Sequence, residues 1–201
     1  HSNKTTGIIN RLYQKVRKHT LNQKLELINR RQVGKGSLLD IGCGTGEFLN
    51  IMKRDGWKTV GIEPNSSARK QCIENYGLDV RNEENLVDLK LGTYNAITMW
   101  HVLEHVYNLR ERIEKVAALM KSDGTLIVAL PNRNSNDARH YRENWAAYDL
   151  PRHLWHFREQ DVRNLMAQFG LEVTQVLPMK FDSYYISLLS ERYKTGKNNF
   201  I

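Results

Sequence analysis

Apolar residues recur at helical spacing near the start of the chain. Ile8, Ile9, Leu12, Tyr13 and Val16 alternate with Arg11, Lys15, Arg17 and Lys18, which predicts an amphipathic helix. Leu21, Leu25 and Ile28 predict a second helix or a bent extension of the first. Val33-Gly34-Lys35-Gly36 breaks the pattern and predicts a linker. From there the rhythm alternates. Short apolar runs at 37–41, 58–63, 78–80, 94–100, 125–130 and 171–177 predict six strands. Between them, 47–54, 66–76, 109–120 and 158–169 predict helices, with a last helix over 181–193. Ser122-Asp123-Gly124 predicts a turn.

The strands are apolar through their length rather than on every second residue. That is the signature of strands buried on both faces, so a parallel sheet with helices on each side follows. Right-handed crossovers make it a doubly wound α/β sheet. Residues 131–157 break the alternation, being rich in Asn, Arg, His and aromatic residues without an apolar period. So long an irregular stretch inside a compact domain is usually functional.

At 201 residues, 40% hydrophobic and 26% charged, the chain fits one soluble α/β domain. No apolar run reaches the ~20 residues of a membrane-spanning helix, and no signal peptide is visible. Cys43 and Cys72 are too few for a disulfide framework, which predicts reduced thiols in a cytoplasmic protein. No Cys/His or His/carboxylate spacing reads as a metal site, so none is expected. His1-Ser2 in place of Met predicts a trimmed or incomplete N-terminus, and 198–201 read as the middle of an element. The net charge of +8 is uneven: residues 1–36 hold nine Lys/Arg against Glu26 alone, leaving 21 basic and 21 acidic residues in the rest. A basic helical segment (1–36) is therefore set apart from a balanced body (37–201). Such a segment suits an anionic acceptor, a lipid or nucleic acid, or is simply a solvated face.

The chemistry concentrates in Asp40-Ile41-Gly42-Cys43-Gly44-Thr45-Gly46-Glu47, after the first strand and before a helix. Glycines let the chain reverse and let a ligand approach where a Cβ would collide. The spacing is Gly-x-Gly-x-Gly rather than the Gly-x-Gly-x-x-Gly of dinucleotide sites. Asp40 would sit well beside a sulfonium cation and repel a pyrophosphate. Glu63 ends the second strand, where an acid accepts hydrogen bonds from ribose hydroxyls.

On these residues the chain resembles the class I S-adenosylmethionine-dependent methyltransferases over 37–177. Trp100-His101-Val102-Leu103-Glu104-His105-Val106 and Asp149-Leu150-Pro151-Arg152-His153-Leu154-Trp155-His156-Phe157 are similar to a small-molecule subgroup acting on quinone-like or sugar-like acceptors. The resemblance implies a Rossmann-like methyltransferase fold with 1–36 as an N-terminal lid, and S-adenosylmethionine as cofactor. It implies cofactor contacts from Asp40, Gly42, Cys43, Gly44, Gly46, Glu63, Pro64, Trp100 and His101. Asn82 and Glu83 should meet the adenine, although Arg81-Asn82-Glu83-Glu84 departs from the Asp-plus-apolar pattern usual there.

In an open α/β sheet, ligands bind at the carboxyl ends of the strands, which places His101 and the 131–157 segment at the ligand edge. Methyl transfer to a hydroxyl needs an in-line approach and a proton acceptor, and histidine is the usual one. His101 and His153 are the catalytic candidates, with His105 expected to pack. The expected activity is methylation of a small, possibly anionic acceptor, at oxygen. Alternatives are a cofactor-binding module without catalysis, an NAD-dependent oxidoreductase, which the loop spacing disfavours, and a nucleic-acid methyltransferase, for which only the basic segment speaks.

Overall fold

Five parallel strands carry the fold, in the order β3-β2-β1-β4-β5. The computed structural model describes residues 8–196, with side chains from residue 14 onward. The strands are β1 (Ser37–Ile41), β2 (Lys58–Ile62), β3 (Val80–Arg81), β4 (Tyr94–Trp100) and β5 (Met120–Ala129). The helices are α1 (Ile8–Asn29), α2 (Glu47–Arg54), α3 (Ser66–Tyr76), α4 (Leu109–Leu119), α5 (Asn136–Tyr141), α6 (Glu159–Ala167) and α7 (Lys180–Thr195). No helix among the described residues is long and apolar enough to cross a membrane.

Alternation of side chains along the strands builds a core on each face of the sheet. Leu39 and Ile97 join Ile113, Val116 and Leu119 of α4 and Met166 of α6 on one face. Leu38 and Ala96 point the other way, to Leu49 and Met52 of α2, Cys72 of α3 and Ile28 of α1. Both faces are covered, which is the doubly wound arrangement expected of these runs. The reversal of strand order between β1 and β4 opens a crevice at their carboxyl ends, where Asp40, Trp100 and His101 stand.

The structure corrects four expectations. The predicted sixth strand is absent among the described residues: 171–179 join no ladder, and Leu171 and Val173 are partly buried by packing on the core. An apolar run alone does not supply a hydrogen-bonding neighbour. The turn 122–124 is absorbed into β5. The pairing runs from Tyr94 with Met120 to Ala96 with Thr125, so one intervening residue on β4 faces four on β5. The 131–157 segment contains α5 and 3-10 turns at Arg142–Asn144 and Ala146–Tyr148, with Trp145 and Ala147 in a small core of their own against α7. Finally, 8–29 form one continuous helix.

That helix qualifies the division at residue 36. The side chains of Ile8, Ile9, Leu12 and Tyr13 lie outside the described residues, as do 1–7 and 197–201. Farther along, Ile28 is 1% exposed, with Leu21 and Leu25 packed on the same cluster. Asn29 accepts a hydrogen bond from Trp57 Nε1 at 3.0 Å and donates to Asp55 at 2.9 Å. The second half of α1 is thus part of the core. Ile28→Ala should cost about 2–4 kcal/mol of unfolding free energy in urea titrations, as buried truncations do. A loss below about 0.5 kcal/mol would mean that α1 is a detachable cover.

Candidate functional site

The loop between β1 and α2 turns back on itself under two constraints. Gly42 N and Cys43 N both donate to Ile62 O, at 2.7 and 3.1 Å, fastening the loop to the end of β2. Gly46 (φ 79°) sits in the left-handed region ahead of α2, and a Cβ there would come within 2.8 Å of Cys72 Sγ and Leu78. Gly44 differs: its φ is +55°, but a Cβ would meet nothing within 4 Å. Gly42 and Gly46 are small because protein packs on them, whereas Gly44 faces open space.

Glu63, 8% exposed, holds the loop from β2. Its Oε2 accepts from Gly44 N at 2.8 Å and its Oε1 from Asn65 N at 2.9 Å. A carboxylate has about four acceptor directions, so capacity remains for a ligand's hydroxyls. Asp40, 1% exposed, accepts from the Thr98 hydroxyl at 2.7 Å. Burial pushes its carboxyl up to about 7, against the Thr98 bond and the Lys24 ammonium, with Glu63 pushing in the same direction as burial. Cys43 and Cys72 are free, buried thiols whose pKa burial raises, and Cys72 Sγ lies 3.1 Å from Gly44 O. They pack beneath the loop as small apolar groups.

Across the crevice, Trp100 stacks edge-on against Phe48 at 5.5 Å. Its Nε1 is buried without a hydrogen-bond partner. Lys24 of α1 lays its ammonium 4.1 Å from the Trp100 ring centre. Burial lowers the Lys24 pKa, and Asp182 and Asp40 oppose that shift. His101 has φ 58° and donates its backbone N–H to Ala129 O at 3.1 Å. Its Nε2 is 3.2 Å from Asp182 of α7 and its Nδ1 3.5 Å from Glu104. Burial disfavours its cation, but the two carboxylates outweigh burial and hold the imidazolium up to about 9. In this arrangement His101 is protonated at neutral pH, and so is a donor. Lys24 and Asp182 carry no motif of their own. Only the packing of α1 and α7 reveals them, although the excess of basic residues on α1 pointed to that element.

Asn82, Glu83 and Pro64 each have a partner within the protein. Asn82 Oδ1 accepts from Glu83 N at 2.8 Å, capping the turn after β3, with Arg69 3.4 Å away. Glu83 pairs with Arg112 of α4. Pro64 is exposed, and its carbonyl accepts from Arg69 at 2.7 Å. His153 lies apart from His101's ring contacts. Its Nδ1 is 2.8 Å from Ala147 O, its ring is 4.6 Å from that of His105, and burial lowers its pKa, so it is neutral at pH 7.

A family model described as a methyltransferase domain matches residues 13–176. The chain belongs to that family. A ubiquinone biosynthesis O-methyltransferase from Nitrosococcus oceani is 27% identical over 197 residues, covering 90% of this chain and 80% of that enzyme. One from Erwinia tasmaniensis is 32% identical over 106 residues, covering 49% of this chain but only 43% of the enzyme's length. Among solved structures, a SAM-dependent methyltransferase from Archaeoglobus fulgidus superposes with a TM-score of 0.64 at 20% identity, covering 97% and 94% of the two chains. Magnesium protoporphyrin IX methyltransferase from Synechocystis, solved with SAH, gives 0.65 at 14% identity over 87% and 82%. At such identities the likeness is one of fold. Family and fold together make the chain a class I, S-adenosylmethionine-dependent methyltransferase domain. The site suits that cofactor: Gly44 leaves its cradle open, and the buried Glu63 keeps acceptor capacity for hydroxyls.

The raised Asp40 carboxyl yields a pH prediction. An unfolded aspartate titrates near 3.8, and folded Asp40 near 7. Between those values the folded state binds more protons than the unfolded one, so this group's contribution to stability falls as pH rises. Relative to the parent, Asp40→Asn, uncharged throughout, should gain melting temperature as pH rises from about 5 to about 8. Thermal melts of ligand-free protein at the two pH values check this. A difference that does not grow with pH would show that Asp40 is ionised throughout.

Proposed function

We propose that this domain transfers the methyl group of S-adenosylmethionine to an oxygen of a small, largely apolar acceptor. The observation that carries the reading is the cradle itself: Gly44 faces open space at the crest of the loop, and the Glu63 carboxylate that holds it keeps acceptor capacity for hydroxyls. The buried Asp40 beside them would oppose a pyrophosphate. Ubiquinone biosynthesis O-methyltransferases among the relatives support oxygen as the atom methylated. Leu150, Leu154, Trp155 and Tyr107 stand exposed around the 149–157 segment and would receive an apolar acceptor.

In this reading Gly44 meets the amino-acid end of the cofactor and Glu63 its ribose, with Asp40, Gly42, Cys43, Gly46 and Pro64 shaping the cradle. Trp100 and His101 flank it, and Asn82 and Glu83 lie on the adenine side. When bound, the cofactor supplies an electrophilic methyl group and leaves as S-adenosylhomocysteine. What would remain for the chain's own residues is to orient the acceptor oxygen toward that methyl group and to receive the hydroxyl proton. His101, an imidazolium between Asp182 and Glu104, orients the acceptor as a donor, and it takes that proton only after releasing its own to solvent. His153, neutral and farther out, positions the acceptor. The second half of α1 is core and its Lys24 reaches the crevice, so this helix acts as a fixed roof more than as a hinged lid. Its basic face favours an acceptor bearing a carboxylate or phosphate.

Calorimetry with S-adenosylhomocysteine, NAD and NADP tests the cofactor. Only the first should bind. Glu63→Ala should weaken it by about ten- to a thousandfold, from ~1.5–3 kcal/mol per bond to a charged group. An unchanged dissociation constant removes Glu63 from the site. On an acceptor found by homocysteine release, His153→Ala should lower kcat and spare cofactor affinity, whereas His101→Ala should affect both. Full turnover of His153→Ala would make that residue a cover.

A further inference from the structure

Glu104, His105 and His153 are brought together by folding, although 48 residues separate the two histidines in the chain. Each offers one ligand atom, and these atoms all lie within 4.8 Å of one another. Glu104 is 0% exposed, and neither carboxylate oxygen has a hydrogen-bond partner. His101 Nδ1 pairs with it across 3.5 Å, which is long for a hydrogen bond, so the lone pairs of both oxygens stay unmet. A buried carboxyl group so placed is costly unless a donor or a further cation completes it.

Both histidines are already aimed. His105 Nδ1 lies 2.9 Å from Arg152 O, and His153 Nδ1 lies 2.8 Å from Ala147 O. A backbone carbonyl only accepts, so Nδ1 carries the proton in each neutral ring. That leaves both Nε2 lone pairs for another partner, the tautomer and anchoring found in histidines that ligate metals. The two segments are clamped at the same point: Leu154 N and Trp155 N donate to Glu104 O at 2.7 and 3.3 Å. His105 is exposed while Glu104 is buried, so the cluster opens to solvent on one side.

We propose that Glu104, His105 and His153 bind a divalent cation of the zinc class, leaving one coordination position open toward the acceptor. Two imidazole nitrogens and one carboxylate are a ligand set that zinc accepts, and three protein ligands with a vacant fourth position are the form of catalytic rather than structural sites. Metal–ligand bonds of about 2.0–2.1 Å place tetrahedral ligands about 3.3 Å apart, so side-chain rotations of an ångström or so close the cluster. Its existence does not depend on the methyltransferase reading. Its role does: beside His101, a cation would bind an acceptor hydroxyl and ease loss of its proton. The sequence argued against a metal because the histidines had no carboxylate at a ligand spacing along the chain. The carboxylate adjoins one histidine and reaches the other only through the fold.

Chelator-treated protein titrated with cobalt(II) chloride tests this through the visible d–d absorption, with zinc chloride calorimetry beside it. One equivalent of each should bind, and His105→Ala, whose side chain is exposed, and Glu104→Gln should each weaken binding by at least about tenfold. Asp149→Asn should change it by less than about twofold, although Asp149 Oδ2 lies 3.7 Å from His153 Nε2. If His153 is instead a cation shared between Glu104 and Asp149, no saturable cobalt spectrum will appear. Absence of that spectrum, or its full retention in both His105→Ala and Glu104→Gln, overturns the proposal. S-adenosylhomocysteine calorimetry on the same samples separates this failure from failure of the cofactor reading, since the two ligands use different residues.

Discussion

The hydrogen bond from Gly44 N–H to the Glu63 carboxylate is the constraint on which the site depends. It joins the loop after β1 to the end of β2 across the crevice where a ligand must sit. The loop cannot fall inward, because Gly42 and Cys43 are fastened to Ile62, and it cannot open outward while Glu63 holds Gly44. What results is a backbone arch with a bare position at its crest. A charge-assisted bond of this kind is stronger than one between neutral partners, and here it is mostly shielded from water. The carboxylate that shapes the arch keeps acceptor capacity for whatever enters beneath it.

Charge is distributed around that arch in an orderly way. Asp40 lies under the crevice, Asp182 above it on α7, and Lys24 reaches between them from α1. The helices that roof the site thus bring one cation and one anion to it, and His101 is held as an imidazolium by the anion. Asp182 raises the proton affinity of His101, so the placing of α7 and the acid–base state of the site are linked. The roof is not loosely attached. α1 has Ile28 in the core, and α7 supplies the Ser190 hydroxyl that accepts from Ala146 N at 2.8 Å inside the aromatic segment.

That segment and the turn after β4 form the second focus of the molecule. Glu104 receives two backbone amides from 154–155, Trp155 Nε1 donates to Val106 O at 2.7 Å, and His105 contacts Arg152 O. These bonds hold Glu104, His105 and His153 in one cluster, with His101 at its inner edge. The crevice beside the glycine loop and the 149–157 segment therefore meet at His101 and its neighbour Glu104.

Several features were legible without coordinates, because they are local or periodic. The boundaries of α2, α3 and β4 follow from apolar periodicity and from Gly, Asn and Asp at their ends. The loop Asp40–Glu47 is legible because turning tightly beside a ligand demands glycine at fixed offsets. Asp40 and Glu63 stand at strand ends, and a parallel sheet puts strand ends on one edge. Other features belonged to tertiary structure alone. The run 171–177 has a strand's composition, but a strand also needs a free edge in register, which no local pattern encodes. Gly42, Gly44 and Gly46 look equivalent in sequence, yet only Gly44 faces open space, because Val102, Cys72 and Leu78 arrive from elsewhere in the chain. Lys24, Asp182 and the convergence of Glu104, His105 and His153 are long-range juxtapositions. The sequence by itself determined the five parallel strands that form, the glycine loop and the acids at the strand ends beside it. Which side chains meet above that loop was decided by packing, because contact between distant residues depends on the path of the whole chain and not on any spacing within it.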